Sequence, residues 1–389
     1  MSKQNINITN KNNDIDNNTN NNIDNNTNND TNNDTNKNNR KIKILIAGLE
    51  KKIIAQEFNI LKDVGPDGYI NLFTGKRCWE GGPDVGMRSL IQALVSNSKF
   101  EVKILSDESK LIEMLQWCDS VFFQYDRNLN LAKIPKYLLS KIILSPSSTS
   151  KNREFKKNIK INFIHSAAHI VLSINNLAPH SLYLYKDSNN IQVFKFPIHQ
   201  SILDNHPISN LKTVNQRDID CLIYQKIAGS DTKRNNQLHY IRQFTKFLTN
   251  SLRKENKKVD ILEYGNYYRR NLIEKAKRSK VCLVLSYYDT GGLAQMEISC
   301  MGCYMIAFEN PITRQHSYPI EWITDGNGCH INELSDIRNE NTIKTSISKI
   351  MNIIRSSDNL NSIKIAQDNR LFFSGKVITD HMYNLITKS

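Results

Sequence analysis

Short apolar runs alternate with segments of helical periodicity along most of this chain. The first run is KIKILIAG (41–48), and EVKIL (101–105), SVFFQY (120–125) and KIILS (141–145) follow it. Runs of this length that carry apolar residues at successive positions are typical of strands buried in a parallel sheet. The alternation of such strands with helices therefore predicts a doubly wound sheet, in an N-terminal Rossmann-like domain over 41–206.

Helices are predicted between these strands. Gly81 and Gly82 come before a segment with apolar positions at helical spacing, namely Met87, Leu90, Ile91 and Leu94. Further helices are predicted at LIEMLQW (111–117) and within AKIPKYLLSK (132–141).

A second series begins after the linker-like segment 207–218 and predicts a C-terminal Rossmann-like domain over 215–365. Ligands of such sheets bind beyond the carboxyl ends of the strands, so two of them facing each other would enclose a cleft. The last residues, 366–389, predict a C-terminal helix that could pack on either domain. The strands of this series are predicted at 219–225, 259–265, 280–286 and 303–308, and its helices at 236–252, 268–278 and 292–301.

The first forty residues differ from the rest. They consist largely of Asn, Asp, Thr and Lys, which cannot bury enough apolar surface to offset the entropy of ordering, so residues 1–40 predict a disordered low-complexity tail. The tail lacks the apolar core of a secretory signal, and no run reaches the ~18–20 apolar residues that cross a bilayer. We therefore expect a soluble protein.

The seven cysteines lie in apolar stretches without a regular spacing, which favours a reducing compartment, the cytoplasm. Cys300 and Cys303 form a C-x-x-C, but it lies between a helix and a strand instead of opening a helix. Burial as small core residues is the interpretation that we prefer to a redox pair or half a zinc site.

The net charge of +14, from 52 basic and 38 acidic residues, permits a nucleic acid or a phosphorylated substrate as a partner. The lysines are spread along the whole chain and accompany no recognised nucleic-acid motif, so a dedicated nucleic-acid surface is not predicted.

The chain's chemistry centres on SYYDTGGLAQMEISCMGCYMIAF (286–308), where a loop and a short helix follow a predicted strand. Gly291 and Gly292 allow a phosphate to approach backbone N–H groups at the start of that helix, where the dipole also favours anions. Gly302 is the expected C-terminal cap.

Asp289 precedes these glycines, and Glu297 lies about two turns into the helix, so the carboxylates are roughly 10–12 Å apart. That exceeds the ~5–9.5 Å between the paired carboxyls of glycoside hydrolases. It suits hydrogen bonds to hydroxyls on both sides of a diphosphate, a sugar on one side and a ribose on the other. The alternative is that Asp289 caps the helix and Glu297 is a surface residue.

These residues resemble a known family, the group 1 (family 4) retaining glycosyltransferases of GT-B fold. In that family a Glu, seven residues and a second Glu follow a strand that ends in Ser. The segments that carry the resemblance are 279–311 (SKVCLVLSYYDTGGLAQMEISCMGCYMIAFENP), ITDGNGCHI (323–331), LEYGNYYRRNLIEKAKRS (262–279) and, in the N-terminal domain, EGGPDVGMRSLIQAL (80–94).

The resemblance implies roles for the residues of the loop and helix. Glu297 would hold the ribose hydroxyls of the nucleotide, and Asp289 would contact the donor sugar. Thr290 and the backbone of Gly291 and Gly292 would lie near the sugar and phosphates. Asp stands where the family usually has Glu, which shortens the reach to the sugar by one methylene and puts donor choice and activity in doubt.

The resemblance also implies a basic pair on the diphosphate, for which Lys226 and Lys233 stand in suitable positions, with Arg234 as a substitute for Lys233. These lysines could equally be exposed residues of a lysine-rich chain. The family often places a His near the donor sugar, and His165 is the candidate here, ahead of His169.

The remaining implications concern Gly81 and Gly82, which would form the N-terminal glycine loop. The acids are not grouped as a DxD pair at a strand end, so the resemblance implies a metal-independent mechanism. No cofactor is predicted, because the nucleotide sugar would be a substrate.

The resulting hypothesis is a metal-independent retaining glycosyltransferase that moves a sugar from a nucleotide-sugar donor to an unknown sugar, lipid or protein acceptor. The resemblance makes 41–206 the acceptor domain and 215–365 the nucleotide-sugar donor domain. A peripheral membrane contact is left open. The alternatives are a sugar-nucleotide epimerase, which would need a general acid and base in the cleft, a catalytically silent nucleotide-sugar or glycan-binding protein, and a basic nucleic-acid binder.

Overall fold

The computed structural model describes most of the two predicted sheets and the helices around them. The residues it describes are 40–47, 82–105, 107–123, 134–144, 196–226, 232–264, 267, 269–286, 293–308, 322–331 and 339–387. The low-complexity residues 1–39 lie outside these ranges.

The first sheet has four parallel strands in the order β2-β1-β3-β4. Its register places Ile44 opposite Val102 on one side and Ser120 on the other. The segment 132–141, where a helix was predicted, contains the 3-10 helix Lys136–Lys141. The elements are β1 (Ile42–Ala47), α1 (Gly82–Ser96), β2 (Phe100–Ile104), α2 (Leu111–Trp117), β3 (Ser120–Phe123) and β4 (Ile142–Leu144).

The second sheet has five parallel strands in the order β6-β5-β7-β8-β9. A short helix, α3 (Gln200–Asn205), comes before it. The other elements are β5 (Ile219–Lys226), α4 (Thr232–Lys254), β6 (Val259–Glu263), α5 (Arg269–Arg278), β7 (Ser279–Ser286), α6 (Leu293–Cys300), β8 (Tyr304–Phe308), β9 (Gly328–Ile331), α7 (Glu340–Arg355), α8 (Ser362–Phe372) and α9 (Gly375–Thr387).

Both faces of the second sheet are buried because its strands carry apolar residues at successive positions. Leu222 and Tyr224 of β5 belong to the core beneath α5 and α6. Cys221 and Ile223 belong to the core on the opposite face, beneath α4 and α7. Each fully buried aliphatic side chain contributes ~1.5–3 kcal/mol, so this strand is fixed from both sides.

The first sheet is also covered on both faces. Ile44 and Ile46 pack in the same core as Leu90 and Leu94 of α1. Leu45, on the other face, is fully buried where α2 contacts β1. The predicted fold class, α/β with two doubly wound parallel sheets, is therefore confirmed.

The chain crosses between the two sheets at two adjacent places. Residues 196–199 lead from the first sheet to the second, and Phe373 and Ser374 lead back from α8 to α9. The two crossings are joined by a hydrogen bond of 3.0 Å from the Ile198 N–H to the Phe373 carbonyl. The cores of both sheets are continuous at this point, because Phe196, Ile198 and Phe373 belong to one cluster.

The C-terminal segment packs on both halves. Instead of one helix over 366–389 it forms α8, which contacts α6 beside the second sheet, and α9, which contacts α1 beside the first. Asn97 donates a 2.8 Å hydrogen bond to Thr379 of α9. The predicted boundary at residue 366 lies inside α8.

Contacts divide the chain between Arg40 and Lys41, where the sequence predicts the end of the tail. From Lys41 onward the chain is one unit, and the predicted division near 206–215 stays a prediction. Within the described ranges, none of the helices is both long enough and apolar enough to cross a membrane.

Candidate functional site at the carboxyl edge of the second sheet

Glu297 is the acidic residue around which the candidate site is built. It lies in the second turn of α6, the helix that follows the central strand β7, and is 2 % exposed. The alternative that Glu297 is a surface residue is therefore wrong. A buried carboxylate needs a charged partner or several donors, and this one has a partner.

The partner of Glu297 is Arg269, the first residue of α5. Its guanidinium forms an ion pair with Glu297 Oε1, and the two side chains are 11 % and 3 % exposed. Because α5 and α6 follow β6 and β7, two strands on either side of β5 in the same parallel sheet, both begin at the same edge. That edge is the one at which doubly wound sheets bind ligands.

The connection to α5 is held by a pair of tyrosines. Tyr267 lies just before Arg269, and its hydroxyl is 3.3 Å from that of Tyr224 in β5. The two rings meet edge to face with centroids 6.2 Å apart. This contact anchors the start of α5 to the sheet and thereby fixes the position of Arg269.

His199 brings the first crossing into the same region. It is the N-cap of α3, where its Nδ1 accepts a hydrogen bond of 3.3 Å from the Ser201 N–H and lies 2.6 Å from the Ser201 hydroxyl. Burial, together with the charges of Arg269 and Arg88, lowers the pKa of His199 to about 3. The ring is therefore neutral at physiological pH, with its proton on Nε2.

Arg88 joins the group from the first sheet. It lies in the second turn of α1, is 4 % exposed, and its charge acts on His199. A close approach between α1 and the first crossing permits this, because a Cβ at Gly86 would come within 2.5 Å of the Phe196 ring. Gly86 therefore sets how near Arg88 lies to the crossing.

Arg88, His199, Arg269 and Glu297, which we call the arginine–glutamate cluster, combine groups of complementary chemistry. Two guanidinium groups can bind phosphates in a bidentate manner. A carboxylate has about four lone-pair sites and can accept hydrogen bonds from a vicinal diol while it pairs with an arginine. Its residues lie in α1, in the first crossing, in α5 and in α6. The cluster therefore combines residues from helices beside both sheets.

The opposite, amino edge of the second sheet holds another buried arginine, Arg217. It donates to the carbonyl of Ser279 at 2.6 Å, of Met301 at 2.7 Å and of Lys212 at 3.2 Å. These carbonyls belong to the start of β7, the residue after α6 and the segment before β5. Arg217 thus ties chain segments together through main-chain oxygens.

Gly302 ends α6 at this edge, as predicted. Its φ is +87°, in the left-handed region. A Cβ here would lie 2.3 Å from the Ser362 carbonyl and 2.7 Å from Arg217 Nη2. Glycine is therefore required both by the backbone conformation and by the space.

Cys300 and Cys303 are free and fully buried, as predicted for core residues. Burial raises the pKa of Cys300 to about 12 and that of Cys303 to about 11. Thiols with such pKa values are protonated and unreactive at neutral pH.

The segment ITDGNGCHI has a structural role in the turn before β9. Asn327 accepts a hydrogen bond from the Thr324 N–H at 2.8 Å and donates to the Trp322 carbonyl at 3.1 Å. A Cβ at Gly328 would lie 2.3 Å from the Met305 carbonyl, so the close pairing of β8 and β9 requires glycine.

Of the residues predicted for the site, Glu297 is the one whose side chain the structure describes. Lys226 is the last residue of β5, Lys233 lies in the first turn of α4, and Gly82 is the first residue of α1. For these three, the backbone is described and the side-chain surroundings are not. The other predicted residues lie outside the described ranges: Gly81, His165, Asp289, Thr290, Gly291 and Gly292.

Sequence reasoning missed three members of the cluster. Arg269 and Arg88 carry no distinguishing signal in a chain with 52 basic residues. His199 carried no signal either, because histidine is not among the residues that usually cap helices. The histidine predicted from the sequence is His165.

No family model matches this chain, and no curated protein matches its sequence. Among solved structures it is similar to AviGT4, a glycosyltransferase involved in avilamycin A biosynthesis, with 11 % identity, a TM-score of 0.46, and coverage of 89 % of this chain and 97 % of that one.

It is also similar to sucrose-phosphate synthase from Thermosynechococcus elongatus, with 11 % identity, a TM-score of 0.46 and coverage of 90 % and 99 %. A putative UDP-N-acetylglucosamine 2-epimerase from Listeria monocytogenes has 13 % identity, a TM-score of 0.40 and coverage of 89 % and 96 %. All three TM-scores lie below 0.5, so these likenesses assign neither a family nor an activity to the chain.

Proposed function

We propose that this protein is a metal-independent retaining glycosyltransferase of GT-B type that transfers a sugar from a nucleotide-sugar donor to an acceptor. The observation that carries the proposal is the position of Glu297. It is buried in the helix after the central strand, at the ligand-binding edge, and paired with Arg269. A solvent-facing Glu297 would have removed the basis for the proposal.

Glu297 holds the ribose of the donor in this proposal. Its ion pair with Arg269 fixes the orientation of the carboxylate, so that acceptor capacity remains for the two ribose hydroxyls. Arg269 is accordingly a positioning residue. The same guanidinium has five N–H donors in a rigid fork, which is enough to reach a phosphate oxygen as well.

The negative charge that develops on the leaving diphosphate needs cationic groups in a site from which water is excluded. We assign this role to Arg88, Arg269, Lys226 and Lys233. Asp289, Thr290, Gly291 and Gly292 keep their proposed places near the sugar and phosphates, and His165, Gly81 and Gly82 keep theirs in the N-terminal half.

The first test is binding. A panel of nucleoside diphosphates is screened by thermal shift, since a selective ligand stabilises the protein by RT ln(1 + [L]/Kd). We expect the protein to prefer one base. Glu297→Gln should weaken the binding of that nucleoside diphosphate by about 10- to 100-fold, or ~1.4–2.8 kcal/mol.

The matched control is Glu255→Gln, which also removes a carboxylate paired with an arginine, Arg355, but in the loop before β6. It should bind like the wild type. Transfer of label from the nucleotide sugar should be lost in Glu297→Gln, retained in Glu255→Gln and unaffected by EDTA. Equal binding and transfer by both variants would overturn the proposal.

A second candidate, a sugar-nucleotide epimerase, is favoured by one observation. Such an enzyme needs acid and base groups at the site, and Arg269 pairs with Glu297 while its charge acts on His199. NMR of the nucleotide sugar incubated without acceptor distinguishes the two. An accumulating epimer would support the epimerase, whereas sugar transfer that requires an acceptor supports the glycosyltransferase.

A further inference from the structure

A cavity of about 480 Å³ lies beside the two crossings, apart from the arginine–glutamate cluster. We call it the crossover cavity. Its walls are one face of α1, the first crossing at Ile198 and Gln200, and the start of α9. The volume lies within the ~300–1,000 Å³ range of small-molecule sites.

Several hydroxyl and amide groups lie among the apolar atoms of its lining. Ser89, Gln92 and Ser96 share one face of α1 because they are three, four and seven residues apart. Gln92 Oε1 accepts a hydrogen bond from the Gln200 N–H at 3.1 Å, which holds the first crossing against α1. Groups of this kind both donate and accept hydrogen bonds, so they match a ligand rich in hydroxyls.

The charged groups of the cavity carry a net positive charge. Lys99 lies 2.8 Å from one oxygen of Asp380, and Lys376 lies 2.6 Å from the other. Hydrogen bonds from Lys376 and Lys99 lower the pKa of Asp380 to about 2, so this carboxylate is ionised at neutral pH. Two ammonium groups therefore face one carboxylate, and an anion that enters meets an excess of one positive charge.

We propose that the crossover cavity binds a small hydroxylated anion, the chemical class that includes sugar phosphates and sugar acids. The anionic group lies against Lys99 and Lys376, and the hydroxyls lie against the polar face of α1. This assignment does not depend on the proposed function, because it uses none of the residues of the arginine–glutamate cluster.

The cavity nevertheless shares a wall with that cluster. Ile198 and Gln200 line the cavity. His199 lies between them in the chain, and the charges of Arg88 and Arg269 act on it. An occupant of the cavity contacts both chain neighbours of His199, together with Gly375 just beyond the second crossing.

The probes are ribose 5-phosphate, gluconate, glucose and inorganic phosphate, each titrated calorimetrically into the full chain up to about 10 mM. We expect saturable binding of ribose 5-phosphate, gluconate or both, and at least about tenfold weaker binding of glucose and phosphate. The first two probes distinguish a phosphate from a carboxylate as the anionic group. Equal binding of inorganic phosphate, or no saturable binding of any probe, would overturn the proposal.

Two variants test the location. Ser96→Phe fills the cavity from an exposed position and should abolish binding, and Lys376→Met should weaken it about five- to tenfold. The matched control is Lys364→Met, which breaks the corresponding i,i+4 pair with Asp368 on α8, outside the cavity. Binding that is unchanged in Ser96→Phe and Lys376→Met, or weakened equally in Lys364→Met, places the ligand elsewhere and overturns the assignment.

Discussion

Two buried arginines lie at opposite edges of the same sheet, and their partners differ. Arg217, at the amino edge, donates to main-chain carbonyls, which belong to the backbone and do not depend on the side chains around it. Arg269, at the carboxyl edge, pairs with a side-chain carboxylate and lies near His199, which also feels the charge of Arg88. Burial alone does not separate them.

The difference shows what to compare among the buried arginines of a basic chain, namely their partners and the edge of the sheet at which they lie. The three carbonyls that Arg217 bridges belong to segments that come together only in the folded state, so its guanidinium stabilises the fold. The bond of Arg269 is to a group with spare acceptor capacity, at the edge where parallel sheets bind ligands. Four predictions sharpen or break this contrast.

The largest effect is expected for Arg217→Met. It leaves the buried carbonyls of Ser279 and Met301 without their donor, at a cost of ~1–3 kcal/mol each, and should lower the free energy of unfolding by about 4 kcal/mol. Urea denaturation measures the loss. Nucleoside diphosphate affinity, measured below the transition, should not change, and a selective loss of affinity would break the contrast.

The next effect concerns the pair of Arg269 and Glu297. Removal of one buried ion destabilises by ~3–5 kcal/mol because it leaves the other uncompensated, whereas removal of both is much less costly. In the cycle of Arg269→Met, Glu297→Leu and the double variant, we expect a coupling energy of about 2–3 kcal/mol. Additive losses would mean that the two charges do not stabilise each other.

A smaller effect is expected from His199, and it depends on pH. The folded protein keeps this ring neutral down to about pH 3, while the unfolded chain takes up a proton below its ordinary pKa of 6.5. Stability from this group is therefore complete above pH 6.5 and falls as the pH drops. The loss between pH 7 and pH 5 is about 2 kcal/mol.

His199→Asn keeps a good N-cap and removes the titration, so the free energy of unfolding should fall less steeply over that interval. Urea unfolding at pH 7 and pH 5 in both proteins measures the difference. An unchanged pH dependence in the variant would show that burial and the charges of Arg269 and Arg88 do not hold His199 neutral.

The smallest effect is expected for the ion pair between Glu255 and Arg355. Its side chains are 34 % and 52 % exposed, so water and salt screen the attraction. A double-mutant cycle should find no measurable coupling energy. A coupling as strong as that of Arg269 and Glu297 would show that burial does not determine the strength of the two ion pairs.

The sheets were predictable because their strands are buried on both faces and are therefore continuous apolar runs in the sequence. β7 was placed within one residue of its observed bounds, and α5 and α6 were located within one residue at each end. The position of Glu297 in the second turn of the helix after that strand was predicted from the spacing, and its role stays a prediction.

The partners of Glu297 were not predictable. Arg269 and Arg88 are brought together by packing between segments that are distant in the chain, and Gly86 against Phe196 is one such contact. Local sequence patterns do not predict contacts of this kind. The same holds for the C-terminal segment. Its helical period was clear, but the break at Phe373 and the choice of α1 as the surface for α9 depend on tertiary contacts.

The packing of α9 on α1 sets an order of events during synthesis. Because α1 is synthesised long before α9, one face of α1 lacks its covering helix until α9 has been made. The packing around the first sheet is therefore completed only after the strands of the second sheet have been synthesised, and nascent chains that stop before Gly375 would offer chaperones an uncovered apolar face.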